Sequence, residues 1–254
     1  MNTKKTILIT GASAGIGEAC AHLFAKNNYK LIITARRSDR LSKLKELLES
    51  EYNAEVYTLT FDVRDKLATE GALESLPTEW KDIDVLLNNA GLSAGLESFY
   101  EGNTSDWETM IDTNIKGLLY VSRVVANWMI NHKKGHIINL GSIAGKESYL
   151  NGNVYCSTKA AVDSLSKSMR IDLVTHGIKV TAVHPGAVET EFSIVRFKGD
   201  VERANNVYKG FEPLHPEDVA DIIYFAASRP AHVNINDLIV MPTAQANATT
   251  INRQ

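Results

Sequence analysis

The segment 153–162, NVYCSTKAAV, places a tyrosine and a lysine four residues apart. Residues at this spacing lie on the same face of an α-helix, so the Tyr155 phenol and the Lys159 ammonium would be neighbours. Free tyrosine, with a pKa of about 10, is a poor proton acceptor near neutral pH, and an adjacent ammonium favours the phenolate. The pair therefore predicts a proton-transfer device. The competing interpretation, an incidental pair on a helix surface, depends on what the rest of the chain supplies.

Two more polar residues lie where such chemistry needs them. Asn114 falls inside DWETMIDTNIKGLLY, a helical pattern in which asparagine is a poor helix former. We expect it to do a polar task, such as holding a water in a proton relay. Ser142 follows the apolar run HIINL, and its hydroxyl can bond a substrate oxygen.

Short apolar runs alternate with longer helical stretches along the whole chain. The runs are typical of buried strands, and they lie at 6–10, 30–35, 55–63, 83–91, 135–142, 179–186 and 237–243. Helical patterns include 15–27, 41–51, 104–131 and 155–176. This alternation predicts an α/β fold: one doubly wound, Rossmann-type domain over 1–254, with about seven parallel strands and helices on both faces. In such sheets ligands bind beyond the carboxyl ends of the strands.

The first predicted strand ends in TGASAGIGEA, which contains Gly11, Gly15 and Gly17. Glycines in a strand-to-helix turn allow backbone N–H groups to approach a pyrophosphate, and the helix N-terminus adds positive potential. The spacing GxxxGxG is neither the common dinucleotide fingerprint nor a Walker A loop. A plain tight connection is the alternative, although the position after the first strand favours binding.

Arg36 and Arg37 follow the second predicted strand, where a binder of NAD typically has an acidic residue for the ribose. Guanidinium groups instead form charge-assisted bonds with a 2′-phosphate, so the pair predicts NADP rather than NAD. The third strand end supplies Asp62 and Val63. These residues are equally consistent with an adenine contact and with an aspartate that caps the next helix.

Composition excludes several classes of protein. The 254 residues carry a formal charge of −3 and 44% hydrophobic residues, so no basic surface predicts nucleic acid or an anionic membrane as partner. Cys20 and Cys156 form no metal motif or disulfide framework, and we expect both to be reduced and no metal to be bound. No run has transmembrane length and the N-terminal pattern is not a signal peptide, which predicts a cytoplasmic protein. His136 and His184 are expected to be buried structural histidines.

The motifs TGASAGIG, NNAG, YCSTK and HPGAVETEF, together with Asn114 and Ser142, resemble the short-chain dehydrogenase/reductase family over the whole chain. That resemblance implies hydride transfer between a nicotinamide cofactor and an alcohol or carbonyl. It also implies a homotetramer built through the helices that carry Asn114 and Tyr155. The implied catalytic residues are Asn114, Ser142, Tyr155 and Lys159. The implied cofactor-binding residues are Gly11, Ser13, Gly15, Ile16, Gly17, Arg36, Arg37, Asp62, Val63, Asn89, Ala90, Gly91, Tyr155, Lys159, Pro185, Gly186, Val188 and Thr190.

Longer segments, such as TEFSIVRFKGD and PAHVNINDLIVMPTAQ, are similar to the NADP-dependent 3-hydroxy acid dehydrogenases within that family. The implied small-molecule substrates are serine, L-allo-threonine, 3-hydroxyisobutyrate and 3-hydroxypropionate or malonic semialdehyde. Such acids need a cation for their carboxylate. We predict Arg196 for this task, with Lys198 second, and expect Ser142 and Tyr155 to contact the substrate as well.

Two other functions share part of this pattern. A ketoreductase acting on acyl thioesters has the same catalytic set, but it would be expected to expose a basic docking face. A non-catalytic NADP-binding sensor on the same fold is the second; such proteins commonly lose the tyrosine, lysine or serine that this chain retains.

Overall fold

The computed structural model describes residues 4–254. Within them, seven parallel strands form one sheet in the order β3-β2-β1-β4-β5-β6-β7. The strands are β1 (Thr6–Thr10), β2 (Lys30–Ala35), β3 (Val56–Thr60), β4 (Val85–Asn88), β5 (His136–Leu140), β6 (Lys179–Pro185) and β7 (Asp237–Val240). The predicted fold class is confirmed. The strand order reverses between β1 and β4, and a sheet of this kind has its ligand crevice at that point.

Helices cover both faces of the sheet. They are α1 (Gly15–Lys26), α2 (Ser38–Tyr52), α3 (Lys66–Glu74), α4 (Thr104–Ile111), α5 (Leu118–His132), α6 (Asn153–Leu173), α7 (Phe192–Arg196), α8 (Val201–Asn206) and α9 (Pro216–Ala227). Side chains alternate across a strand, so Ile7 and Ile9 of β1 belong to one buried cluster while Leu8 belongs to the other. Burial on both faces explains why the strands are continuous apolar runs.

Several element bounds differ from those predicted. The run 83–91 forms a strand only over Val85–Asn88, because the following polar residues leave the sheet to line the crevice. The run 55–63 likewise pairs only over Val56–Thr60. The pattern 104–131 is interrupted by a π-helical turn at Asp112–Gly117, which separates α4 from α5. Such turns occur frequently at functional sites, and this one contains Asn114.

Cys20 and Cys156 are both buried and free. No helix within residues 4–254 combines the length and the apolar character needed to cross a membrane.

Candidate active site

The glycine turn after β1 is packed so tightly that side chains are excluded from it. Gly11 has φ +67°, and a Cβ there would lie 2.9 Å from the Ala90 Cα atom. A Cβ on Gly17 would lie 2.5 Å from the Gly11 carbonyl oxygen. The absence of these side chains brings the start of α1 against the turn and leaves its backbone N–H groups open to the crevice.

Asn89 fixes this turn from the neighbouring strand. Its side-chain amide donates to the Thr10 and Gly11 carbonyl oxygens at 2.9 and 3.0 Å. Its backbone N–H donates to the Thr10 hydroxyl at 3.0 Å. Asn89 lines the crevice as predicted, and its amide nitrogen is committed to the protein backbone.

Arg37 extends from the end of β2 to the glycine turn, where its Nη2 donates to the Ser13 hydroxyl at 3.2 Å. Its Nη1 donates to Glu191 at 3.2 Å, and Arg40 donates to the same carboxylate at 2.8 Å. Sequence analysis did not identify Arg40 or Glu191. Glu191 lies beyond β6, more than 150 residues from either arginine, so no local pattern indicates the pairing.

Asp62 is not a helix cap: α3 is capped by Asp65, whose carboxylate accepts from Ala68 N. Asp62 instead accepts a forked hydrogen bond from Arg64 and lies 3.8 Å from the Arg36 Nη1. Both Asp62 and Val63 line the crevice, and their contact with an adenine stays a prediction.

The crevice is a cavity of about 230 Å³ at the carboxyl ends of β1, β2 and β4. Twelve predicted cofactor residues line it: Gly11, Ser13, Gly15, Ile16, Arg36, Arg37, Asp62, Val63, Asn89, Ala90, Gly91 and Thr190. Others lie behind its wall. Gly17 packs under the turn, and Gly186 bonds Val240 of β7. Val188, another of the implied cofactor residues, has its carbonyl oxygen bonded by the Tyr208 hydroxyl at 2.9 Å.

Tyr155 and Lys159 lie one turn apart on α6, as their spacing predicts. Both side chains are buried. The Lys159 Nζ donates to the Leu140 carbonyl at 2.9 Å, and burial lowers its pKa to about 8. The prediction that Lys159 lowers the tyrosine pKa is wrong for this state. Burial raises the pKa of Tyr155 above its ordinary value, and the groups that oppose the rise are the Ser142 hydroxyl and Arg196.

Ser142 begins a short 3₁₀ helix, where its oxygen accepts from Ala144 N at 3.1 Å. This bond uses a lone pair and leaves the hydroxyl hydrogen available to a substrate oxygen. The Asn114 side chain has the polar task expected of it, and its role in holding a water stays a prediction. Both hydrogens of its amide are committed, one to the Leu92 carbonyl and one to the Thr158 hydroxyl, so the side chain ties α6 to the β4 loop.

A guanidinium lies beside the tyrosine. Arg196, at the end of α7, has its Cζ 5.7 Å from the Tyr155 ring centre. It donates to the Tyr149 hydroxyl at 2.5 Å and faces the Gly95 carbonyl at 3.4 Å. Lys198 turns away and pairs with Asp106 of α4 at 2.8 Å. Of the two residues predicted to bind the substrate carboxylate, Arg196 therefore lies beside Tyr155 and Lys198 does not. Tyr149 is a further residue beside Arg196, and no sequence pattern indicated it.

These features fit a dinucleotide with a 2′-phosphate. The turn excludes Cβ atoms where a pyrophosphate would approach, and Arg36 and Arg37 lie at the end of β2. Lys159 lies next to Gly91 of the cavity wall, where a Cβ would be 3.4 Å from the Nζ atom.

Comparison with known proteins agrees with this geometry. The short chain dehydrogenase family profile matches residues 5–200. The chain belongs to the short-chain dehydrogenase/reductase family. It is 48% identical over 243 residues to an NADP-dependent 3-hydroxy acid dehydrogenase of Salmonella typhi, covering 95% of this chain and 96% of that one. A Schizosaccharomyces pombe protein of the same name is 47% identical over 251 residues, covering 98% and 97%.

A solved structure, the closed form of a serine dehydrogenase complexed with NADP⁺, superposes with a TM-score of 0.91. It is 46% identical and the match covers 98% of this chain and all of that one. The predicted family is thereby confirmed, and the chain is an oxidoreductase of that family.

Proposed function

We propose that this protein is an NADP-dependent dehydrogenase that moves hydride between NADP(H) and the β-carbon of small 3-hydroxy acids. The substrate class covers serine, L-allo-threonine, 3-hydroxyisobutyrate and 3-hydroxypropionate or its aldehyde. Relatives named for this activity support the proposal at 47–48% identity. Arg36 and Arg37 at the end of β2 support NADP as the cofactor.

One observation carries the substrate class: a guanidinium stands next to the proton donor. A 3-hydroxy acid has its carboxylate two bonds from the carbinol carbon. A carbinol held at Tyr155 therefore places the carboxylate within reach of Arg196. The Tyr149 hydroxyl accepts from Arg196 and retains its own hydrogen, so the two side chains offer adjacent donors to one carboxylate.

The chain's own residues then perform the proton chemistry. In the reducing direction, Ser142 donates to the carbonyl oxygen and Tyr155 transfers its proton to that oxygen as the C=O bond becomes C–OH. Bound NADPH supplies the hydride to the carbonyl carbon. Lys159 lies one helical turn from Tyr155 on α6, and its ammonium has donors besides the one bonded to the Leu140 carbonyl, which it can offer to the cofactor's ribose. Oxidation of the alcohol reverses these transfers.

The test compares each 3-hydroxy acid with its neutral methyl ester or amide, using NADP⁺ and then NAD⁺. We expect the protein to oxidise the acids with NADP⁺. Arg196→Met should raise KM for the acids by about 10- to 100-fold, the loss expected for a hydrogen bond to a charged group, and leave KM for the neutral analogues unchanged. Lys198→Met is the matched control, since this nearby cation faces Asp106.

If Arg196→Met raised KM equally for the acids and the neutral analogues, Arg196 would not bind the substrate carboxylate. If the protein turned over acyl thioesters but no 3-hydroxy acid, its function would be that of a ketoreductase. Tight NADPH binding without turnover on either panel would establish the sensor.

We also propose that the chain assembles as a homotetramer. Apolar side chains are exposed on the outer surfaces of α4, α5 and α6 and the turn that follows, at Ile111, Leu119, Ile171 and Val174. Covering such a surface stabilises an assembly. Light scattering should give four times the 28.0 kDa of one chain, and a monomer mass would refute the assembly.

A further inference from the structure

A second group of ionisable side chains lies behind the active site, outside the cofactor cavity. Its centre is His184, a fully buried residue near the end of β6. The His184 Nε2 lies 3.2 Å from an Asp237 oxygen and 3.7 Å from an Asp163 oxygen. Lys146 completes the group, which we call the His184 cluster.

The positive charge at the centre of this cluster is the Lys146 ammonium. The ligand atoms of Asp163, His184 and Asp237 lie within 4.8 Å of one another, an arrangement that could hold a metal. However, the Lys146 Nζ donates to Asp163 at 2.9 Å and also to Asp237, so it takes the place of a metal ion. Lys167 approaches Asp163 from outside at 2.8 Å. The two carboxylates are thus matched by two lysines.

The other side of the imidazole faces the catalytic serine. The His184 Nδ1 lies 3.3 Å from the Ser142 carbonyl oxygen. A carbonyl oxygen only accepts, so this contact requires a proton on Nδ1. The ring also packs directly under Gly141, where any Cβ would overlap it. Glycine at this position lets the imidazole reach the peptide of the next residue.

The His184 cluster joins the segment that contains Ser142 to α6, which carries Tyr155. Ser142 begins the short 3₁₀ turn Ile143–Gly145, and Lys146 follows that turn. Asp163 lies on α6, one helical turn beyond Lys159. His184 therefore holds the start of the serine segment, while Lys146 fastens its end to the helix that carries Tyr155.

We propose that His184 is a positioning residue for Ser142. Its Nδ1–H donates to the serine carbonyl. The facing Nε2 atom makes no hydrogen bond to the carboxylates of Asp163 and Asp237, which are bound instead by Lys146. The Ser142 hydroxyl is thereby kept at the Tyr155 phenol. A small displacement of a reacting group reduces turnover strongly, so this bond should contribute to kcat and not to cofactor affinity.

Three substitutions of His184 test the roles of its two ring nitrogens separately. Asparagine places its amide nitrogen near the Nδ1 position, whereas glutamine places its amide near Nε2; alanine removes both. We expect His184→Ala and His184→Gln to lower kcat for L-serine oxidation by about 10-fold or more, the effect of one lost buried hydrogen bond. His184→Asn should recover most of the activity.

Two readouts distinguish positioning from a general loss of structure. The NADPH dissociation constant should stay unchanged in all three variants, which also establishes that each is folded. Crystal structures of the same variants report the distance between Ser142 Oγ and Tyr155 Oη without any substrate. This distance should lengthen in the alanine and glutamine variants and be restored by asparagine.

The proposal is overturned if asparagine is as damaging as alanine, if glutamine restores activity, or if the serine keeps its position in His184→Ala. Lys146→Met tests the other end of the segment and should displace Ser142 while leaving NADPH binding intact. Absence of L-serine turnover would count against the substrate class only, since the crystallographic distance still decides the role of His184.

Discussion

The two sides of the active-site cleft are built from different kinds of group. On the cofactor side, backbone atoms of the glycine turn are fixed by strand ends and by Asn89, with excluded Cβ atoms setting the shape. On the substrate side, a half-buried Arg196 is held by Tyr149 and by Gly95 across long gaps in the sequence. The cofactor side therefore presents backbone atoms in a tightly packed turn, whereas the substrate side presents side chains held by other side chains and by loop carbonyls.

This difference explains how one fold keeps a cofactor while changing its substrate. Backbone donors in a tight turn are independent of residue type except where glycine is required. Side-chain donors on a short helix such as α7 can be replaced without disturbing the sheet. Mutations should accordingly separate into those that change cofactor affinity and those that change turnover.

Tyr155→Phe should have the largest effect, and this effect should be on kcat alone. Removing the proton donor is expected to lower kcat by about 100- to 10,000-fold, the usual contribution of general acid catalysis. NADPH affinity, measured by nucleotide fluorescence, should be unchanged because Tyr155 does not line the cofactor cavity. A large loss of NADPH binding would show that the two sides are not separable.

Lys159 stands where the two sides meet, and its burial has a consequence for stability. Burial lowers its pKa from 10.5 to about 8. Below pH 8 the folded protein bears the cost of a buried charge; between pH 8 and 10.5 the unfolded chain binds more protons, so stability rises with pH. The difference in unfolding free energy between wild type and Lys159→Met should therefore shift by about 3 kcal/mol in favour of wild type over that window.

Urea unfolding at several pH values measures this difference. Lys45→Met is a matched control for loss of a lysine, because Lys45 is a surface residue paired with Glu49 on α2. A flat difference between wild type and Lys159→Met would mean that Lys159 is solvated in solution.

Arg37→Ser should affect the cofactor side alone. The lost charge-assisted contact should weaken NADPH binding by about 10-fold, reduced by the partial exposure of the guanidinium, while NADH binding changes little. Titration calorimetry with both nucleotides measures the two affinities. Equal weakening of NADH and NADPH would show that Arg37 does not contact the 2′-phosphate.

Glu191→Gln should have the smallest effect, and it tests the ion pairs that Glu191 forms with Arg37 and Arg40. Glu191 follows β6 and occupies Arg37 and Arg40 in this structure. A carboxylate on Arg37 competes with a phosphate there, so its removal should tighten NADPH binding by up to about fivefold, the range of an exposed ion pair. Weaker NADPH binding in the variant would instead make Glu191 part of a closure that follows cofactor binding.

The sequence determined the parts of this protein whose causes are local. Periodicity predicted the sheet, because each strand is buried on both faces, and the glycine spacing predicted the turn. The i, i+4 rule placed Tyr155 and Lys159 on one face of α6. The family motifs identified Ser142 and Asn114 as active-site residues, although not what the amide of Asn114 binds.

Only the tertiary structure decided the properties that depend on distant partners. It separated Arg196 from Lys198, because Arg196 bonds Tyr149 beside Tyr155 whereas Lys198 pairs with Asp106. It reversed the expected direction of the Tyr155 pKa, since desolvation is set by everything packed around a side chain. It also brought His184 under Ser142, 42 residues away, because β5 and β6 are adjacent in the sheet.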